Sequence, residues 1–253
     1  MVGAEPIFID KNSNIGILML HGFTSTPHQF KELSQFFASK GFTVYAPLVV
    51  GHGTSPKDLA KVGKEDWKKS VKDAYLELGK KVQKIFIIGN SFGGNLAFYL
   101  ACEFQDNHLA GIISLDTPIR LRNQKIIKLR LYTYGWLRKY YRKPQRYYKI
   151  DYTDMSDEVT YSVVPVKSLR DFFEFIEEET VPNLNKIKAP TLIAHANVDP
   201  VVDPKSATFI HDRLGSNHKI IYWFDSNQHS IVFLGKKRYQ LFEKIYEFIK
   251  SLS

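Results

Sequence analysis

Apolar residues follow two spacings along the chain. Short, nearly unbroken runs occur at Gly16-Ile17-Leu18-Met19-Leu20, Thr43 to Ala46, Ile85 to Ile88, Ile112 to Leu115, Pro190 to Ala194 and Ile220 to Phe224. Runs of this length read as strands buried on both faces. Between them the apolar positions return every three or four residues, as in Phe30, Leu33, Phe36 and Phe37, or Trp67, Val71, Ala74, Tyr75 and Leu78. The same period holds for Leu96, Ala97, Leu100, Ala101 and Phe104, and for Tyr239, Phe242, Ile245, Tyr246 and Ile249 at the end. These are helices with one apolar stripe. Thr26-Pro27-His28-Gln29 has the residue order of a capping box, with proline at the first helical position, and Gly41 closes that helix. Together with a short extended piece at Ile7-Phe8-Ile9, the alternation predicts a mostly parallel sheet covered on both faces. In such a sheet the ligand site lies at the carboxyl ends of the strands.

The rhythm breaks after Asp116-Thr117-Pro118 and resumes at Pro190. About seventy residues are too many for an ordinary crossover, so the interval reads as an inserted cap, or lid. The expected division is a core formed by 1–118 and 182–253 with a cap at 119–181. A cap helix begun by Ser168-Leu169-Arg170-Asp171 would carry Leu169, Phe172, Phe173 and Ile176 on one face. That face is expected either to line an apolar pocket or only to fasten the cap to the sheet.

The chemistry centres on Gly89-Asn90-Ser91-Phe92-Gly93, which stands between the strand Ile85–Ile88 and a helix. A serine on so tight a turn needs neighbours without a clashing Cβ two residues away on either side, and Gly89 and Gly93 meet that need. The helix that follows aims free N–H groups and its positive dipole end at the place where an oxyanion would form. A serine hydroxyl needs an imidazole to take its proton and a carboxylate to orient the imidazole. His229 follows the last strand and fits best; His218 precedes that strand and falls at the wrong end of the sheet, and His195 ends its own strand. His21 and His52 belong to loops that shape the pocket, whereas His28, His108 and His211 read as surface positions. Asp199 is the expected acid, four residues past a strand end, in the chain order serine, acid, histidine. Asp116, also at a strand end, is its rival, and Asp203 reads as a helix cap. The oxyanion donors are expected to be the backbone N–H groups of Phe92 and of Phe23, the latter just past His21-Gly22.

Composition narrows the class further. With 44% apolar and 14% aromatic residues the chain is neither disordered nor fibrous. No apolar run nears the ~18 residues of a membrane span. The start lacks a basic region followed by an apolar stretch, so the expected location is cytoplasmic. The single Cys102 excludes an internal disulfide and reads as a small buried residue. The net charge is +9, yet Ile119 to Ile150 holds six arginines and five lysines and no acid, so the remainder is slightly acidic. No nucleic-acid-binding motif accompanies this basic, tyrosine-rich stretch, and nucleic acid is not expected as a partner. Two roles stand open for it, a solvated face that keeps the protein soluble, or peripheral contact with anionic lipid or acyl-CoA.

Leu20-His21-Gly22-Phe23-Thr24, Tyr45-Ala46-Pro47, Gly51-His52-Gly53, the glycine-flanked serine and Gln228-His229-Ser230 together carry a resemblance. The chain resembles an α/β-hydrolase, and more narrowly the small bacterial carboxylesterases of the monoacylglycerol lipase type. The resemblance implies hydrolysis of short- to medium-chain acyl esters or monoacylglycerols, with Ser91, Asp199 and His229 on the three motif positions and no metal or cofactor. Asn90 stands where histidine or leucine is more usual, and the cap is more basic and tyrosine-rich than in such enzymes. An acyl thioesterase, its basic cap holding a phosphorylated carrier, is the alternative reading.

Overall fold

The computed structural model describes residues 1–105, 108–133, 135–143, 160–234 and 237–253. The elements run in chain order β1 (Ile7–Ile9), β2 (Ile15–Leu20), α1 (Lys31–Ser39), β3 (Thr43–Ala46), α2 (Pro56–Leu59), α3 (Lys64–Gly79), β4 (Lys84–Asn90), α4 (Phe92–Glu103) and β5 (Leu109–Leu115). They continue with α5 (Gln124–Thr133), β6 (Tyr140–Arg142), β7 (Val163–Pro165), α6 (Val166–Glu174), β8 (Thr191–Ala196), α7 (Lys205–Arg213), β9 (Lys219–Phe224), α8 (Ile231–Leu234) and α9 (Arg238–Lys250). Seven strands form one sheet in the order β1-β3-β2-β4-β5-β8-β9. All pairings are parallel except β1 with β3. The mostly parallel sheet expected from the apolar pattern is present, in the arrangement that the resemblance to an α/β-hydrolase implies.

Alternation along β4 explains why its apolar run is unbroken. Ile85 and Ile87 enter one core with α3 and α4, while Phe86 and Ile88 enter a second core with α1 and α9. Both faces are covered, so every position is buried. The segment between β5 and β8 departs from the strand–helix rhythm. It contributes α5, the antiparallel pair β6–β7 and α6, and its Leu169, Phe172, Phe173 and Ile176 join the α3–α4 core. Of the tyrosines expected there, Tyr134, Tyr147 and Tyr148 lie outside the described residues, as does the basic stretch beyond Lys143. Among the described residues no helix is long and apolar enough to cross a membrane.

Two local expectations fail for the same reason. Thr26 does precede a helical turn, but its side chain caps nothing and Gln29 does not reach back; Pro27–Phe30 is a 3₁₀ turn leading into α1. Gln29 is buried and uses its Oε1 to accept from Asn90 Nδ2 at 2.7 Å. Likewise α6 starts at Val166 after Pro165, and Ser168 instead donates to the Leu59 carbonyl at 3.1 Å. In both cases a buried partner far along the chain outcompetes the local cap.

The start of α4 is packed backbone against backbone. A Cβ on Gly93 would lie 1.9 Å from the Leu20 carbonyl oxygen, and one on Gly89 would lie 2.3 Å from the Gly93 carbonyl oxygen. A Cβ on Gly79, at the end of α3, would meet nothing closer than 3.8 Å. Gly93→Ala should therefore cost about 3 kcal/mol or more, whereas Gly79→Ala should be neutral or stabilising by roughly 0.5–1 kcal/mol. Urea denaturation of the two variants checks the contrast; equal midpoints would contradict the packing argument.

Candidate active site

Ser91 sits at φ 53°, ψ −123°, a conformation that L-residues rarely adopt. The turn is held by Ser91 N–H donating to the Leu115 carbonyl at 2.7 Å and Gly94 N–H donating to the Ser91 carbonyl at 2.9 Å. The half-buried hydroxyl stands 2.9 Å from His229 Nε2, and His229 Nδ1 stands 2.7 Å from Asp199 Oδ2. The three residues come from the carboxyl ends of β4, β8 and β9, where the sequence puts them.

The rival acid is close but occupied. Asp116 is fully buried, and its two oxygens accept from Ala196 N–H and Ile231 N–H, each at 2.9 Å. It ties the end of β8 to the stretch just after His229. Asp199 spends Oδ1 on Val201 N–H at 2.7 Å and Val202 N–H at 2.9 Å, leaving Oδ2 for the imidazole. Burial and then the Asp199 charge push Asp116 up to about 7. Burial works against the Asp199 charge too, but His229 and the two N–H groups outweigh it and hold the carboxyl below the usual range. Burial pushes the His229 imidazole toward neutrality, and Asp199, by charge and hydrogen bond, more than reverses this, so His229 lies above the ordinary imidazole value. The donor atoms of Asp116, Asp199 and His229 lie within 4.8 Å of one another, which is a metal-like cluster. The N–H groups just named already engage both carboxylates.

His195 is buried with Nε2 3.7 Å from Asp199 Oδ2, and neither ring nitrogen has a hydrogen-bond partner among the described residues. Burial pushes it down to about 4, so it stays neutral beside the acid. Asp203, expected to cap the next helix, accepts from Lys205 N–H at 3.1 Å, but Pro204 holds the position just ahead of α7 and the helix has no side-chain cap. His218 gives its carbonyl to Thr191 N–H at the far end of the sheet.

The Phe23 loop is fixed from both sides. His21 Nε2 accepts from Val49 N–H at 3.0 Å and its Nδ1 lies 3.0 Å from the Gly22 carbonyl, while His52 Nδ1 lies 3.2 Å from the Val49 carbonyl. Burial keeps both rings neutral, at about 4 and about 3. A Cβ on Gly22 would lie 3.3 Å from Ser91 Cβ, so this loop runs directly against the serine. Among the described residues neither Phe23 N–H nor Phe92 N–H has a protein acceptor.

Sequence reasoning missed several neighbours. Asn90 Nδ2 bridges Gln29 Oε1 and Ser230 Oγ, the latter at 3.1 Å, and so ties the turn to the residue after His229. Thr24 sits at φ 63°, and Lys143 Nζ donates to its Oγ1 and to Thr160 Oγ1. Tyr161 N–H donates to the Thr24 carbonyl at 3.0 Å, and its hydroxyl accepts from Thr54 N–H at 2.9 Å. Of the four apolar cap residues, Phe172 meets the rings of Phe23 and Phe92, at 5.1 and 5.2 Å between centroids. Phe173 stacks edgewise on Phe172, and Leu169, Phe173 and Ile176 are all buried. Phe175 also reaches Phe92, at 5.2 Å. It belongs to a π-helical turn, Phe175–Thr180, whose wider pitch brings in a residue that a 3.6-residue stripe omits. Cys102 is half-buried and its thiol is pushed up to about 11 by burial, an inert environment.

The fold and this cluster define an α/β hydrolase. A family profile described as serine aminopeptidase, S33, matches residues 12–233. The chain is 31% identical over 231 residues to a thermostable monoacylglycerol lipase of Bacillus sp. (strain H-257), covering 90% of this chain and 87% of that protein. It is 25% identical over 247 residues to a carboxylesterase of Bacillus subtilis (strain 168), covering 97% and 96%. Among solved structures, one of two metagenome-derived lipolytic enzymes superposes with a TM-score of 0.87 at 27% identity, covering 99% of each chain. The monoacylglycerol lipase of Paleococcus ferrophilus shares the fold with a TM-score of 0.77 at 21% identity, covering 94% and 95%. The chain belongs to this S33 family of α/β hydrolases and is an enzyme of the carboxylesterase and monoacylglycerol lipase kind.

Asn90→Ala should leave Gln29 Oε1 buried without its donor and cost about 1–3 kcal/mol. It should also loosen the His229 loop through Ser230, so kcat should fall while KM stays within about twofold. A thermal melt and steady-state kinetics on one neutral ester check both; an unchanged melting temperature would contradict the network.

Proposed function

We propose that the chain is a carboxylic ester hydrolase for short- to medium-chain acyl esters or monoacylglycerols, working through an acyl-enzyme on Ser91. The observation that carries the reading is the unbroken line Ser91 Oγ, His229, Asp199, with hydrogen-bond distances of 2.9 and 2.7 Å. His229 Nε2 takes the hydroxyl proton as Oγ adds to the ester carbonyl, while Asp199 holds Nδ1–H and balances the imidazolium. The carbonyl oxygen becomes an oxyanion and is received by Phe92 N–H and Phe23 N–H. Collapse breaks the C–O bond to the alcohol, to which His229 returns the proton. A water then repeats the sequence on the acyl-enzyme and releases the acid. The relatives named above are ester hydrolases or lipolytic enzymes, which favours the oxygen ester over the thioester.

A fluorophosphonate probe should label the wild type and not Ser91→Ala. Asp199→Asn should lose ~10⁴ in kcat, as when an imidazole is held in the wrong tautomer. Asp116→Asn should lose far less, since that carboxylate faces backbone N–H groups. Because His229 must be neutral to act as base and Asp199 lifts it above the ordinary value, kcat/KM should rise with pH through a midpoint above 6.5. The midpoint should drop in Asp199→Asn more than in Asp116→Asn. A larger catalytic loss in a folded Asp116→Asn would reverse the acid assignment.

We further propose that Phe172, with Leu169, Phe173 and Ile176 around it, bounds the acyl pocket. The ring contacts of Phe172 with both oxyanion residues support this. Phe172→Ala should raise the ratio of decanoate to butyrate hydrolysis by about tenfold, because removing the ring opens ~1–3 kcal/mol of room for methylenes. An equal loss on both esters that tracks thermal stability would leave Phe172 a packing residue only.

A further inference from the structure

Among the described residues the basic charge of the inserted segment is not evenly neutralised. Lys128 pairs with Glu177, and from the core Lys64 pairs with Glu174 and Glu178 and Lys68 with Glu179. Arg130, Arg138, Arg142 and Lys143 instead converge on one cleft of about 850 Å³, walled in part by Tyr140 and Tyr141. Among the described residues none of these four has a carboxylate partner. Helix α5 brings Arg130, and the pairing of β6 with β7 sets Arg142 and then Lys143 along the same wall. Four converging cations repel one another unless an anion sits among them.

The cleft and the candidate active site share Lys143. Its ammonium donates to Thr24 Oγ1 and to Thr160 Oγ1, the latter at 3.0 Å, and Thr24 is the residue after Phe23. Its charge is felt at His229 and at His52, where it disfavours the protonated rings. Burial, with no acidic partner among the described residues, pulls Lys143 down to about 7, a cost that an anion beside it would remove.

We propose that this cleft seats a phosphate group carried by the substrate itself, so that the preferred substrates are acyl esters of phosphorylated alcohols with the scissile carbonyl at Ser91. The inference rests on the ester-hydrolase reading and names the substrate class of the same site. Three guanidinium groups offer planar pairs of N–H donors that match phosphate oxygens, and a cleft of this size takes a small molecule. The reaction leaves the phosphate untouched. Water adds across the acyl C–O bond, its hydroxyl going to the acid and its proton to the phosphorylated alcohol.

The test compares 1-butyrylglycerol 3-phosphate with 1-butyrylglycerol, both soluble as monomers, on the purified enzyme. At about 0.05 M salt the phosphate ester should be preferred by at least about tenfold in kcat/KM, chiefly through KM, and the preference should shrink by about 0.5 M salt. Arg138→Gln combined with Arg142→Gln should abolish the preference and leave the neutral ester within about twofold. Glycerol 3-phosphate should inhibit neutral-ester hydrolysis competitively in the wild type, a reading that needs no variant. Equal kcat/KM on the two esters with no such inhibition overturns the proposal. Binding of the wild type to phosphatidylglycerol vesicles, lost in the double variant and without any phosphate-ester preference, also overturns it and gives the cations to a lipid surface. Failure on both glycerol esters, on 4-nitrophenyl butyrate and with the fluorophosphonate probe would instead sink the ester-hydrolase reading, and this one with it.

Discussion

The site depends on one contact that side chains would forbid. Helix α4 begins against the end of β2 so closely that Gly93 offers only hydrogen toward the Leu20 carbonyl, 1.9 Å from where a Cβ would be. That approach turns the backbone sharply at Ser91, forces its positive φ, and lifts its hydroxyl out of the sheet toward His229. It also brings the loop His21-Gly22-Phe23 that follows β2 alongside the Ser91 turn, with Gly22 against Ser91 Cβ. The placement of the Ser91 hydroxyl and that of the Phe23 loop thus follow from one packing event. The strain at Ser91 persists because β4, β5 and α4 surround the turn and leave no relaxed alternative.

Two buried carboxylates near one imidazole are a poor arrangement unless their duties differ. Hydrogen bonds divide them here. Asp116 is saturated by two backbone N–H groups from separate elements, which makes it a structural tie between β8 and the His229 segment. Asp199 is saturated on one oxygen only and has the other free to orient an imidazole. The division has an energetic consequence. The folded chain binds a proton at Asp116 between pH 3.8 and about 7 that an unfolded carboxyl releases. The contribution of Asp116 to stability therefore falls as pH rises through that window, opposite in sign to the contribution of Asp199.

What could be read from the sequence was whatever depends on local order. Unbroken apolar runs marked the strands because a sheet covered on both faces has no solvent side, and Gly89 and Gly93 marked the turn because only glycine fits. Strand ends then limited the candidate partners of Ser91 to very few. What could not be read depends on partners distant along the chain. Thr26 and Gln29 looked like a cap because a cap is a short-range pattern, yet Gln29 answers the needs of Asn90, 61 positions away. Phe175 was passed over because a π-helical turn does not keep a 3.6-residue period. Lys143 read as one charge among eleven, and nothing in its neighbours reveals that it crosses to Thr24.

The segment between β5 and β8 is held to the rest of the chain by unlike means on its two sides. On one side Glu174, Glu178 and Glu179 face Lys64 and Lys68 of α3, partly exposed pairs that contribute little each, ~0–1 kcal/mol. The packing of Phe172, Phe173 and Phe175 onto Phe92, Tyr99 and one another supplies most of the adhesion there, and the ion pairs serve to set the angle of approach. On the other side Thr160, Tyr161 and Lys143 grip the loop at Thr24 through hydrogen bonds, with no acid beside the ammonium among the described residues. Glu178 and Glu179 are therefore spent on the first attachment, against Lys64 and Lys68, and Glu177 is spent on Lys128 within the segment. Had those acids faced β6 instead, the arginines would be neutralised and the cleft closed to anions. Among the described residues their placement leaves Arg138, Arg142 and Lys143 without acids on the side where Lys143 meets the Phe23 loop, so the attachment that orients the segment also divides its charges between the two sides.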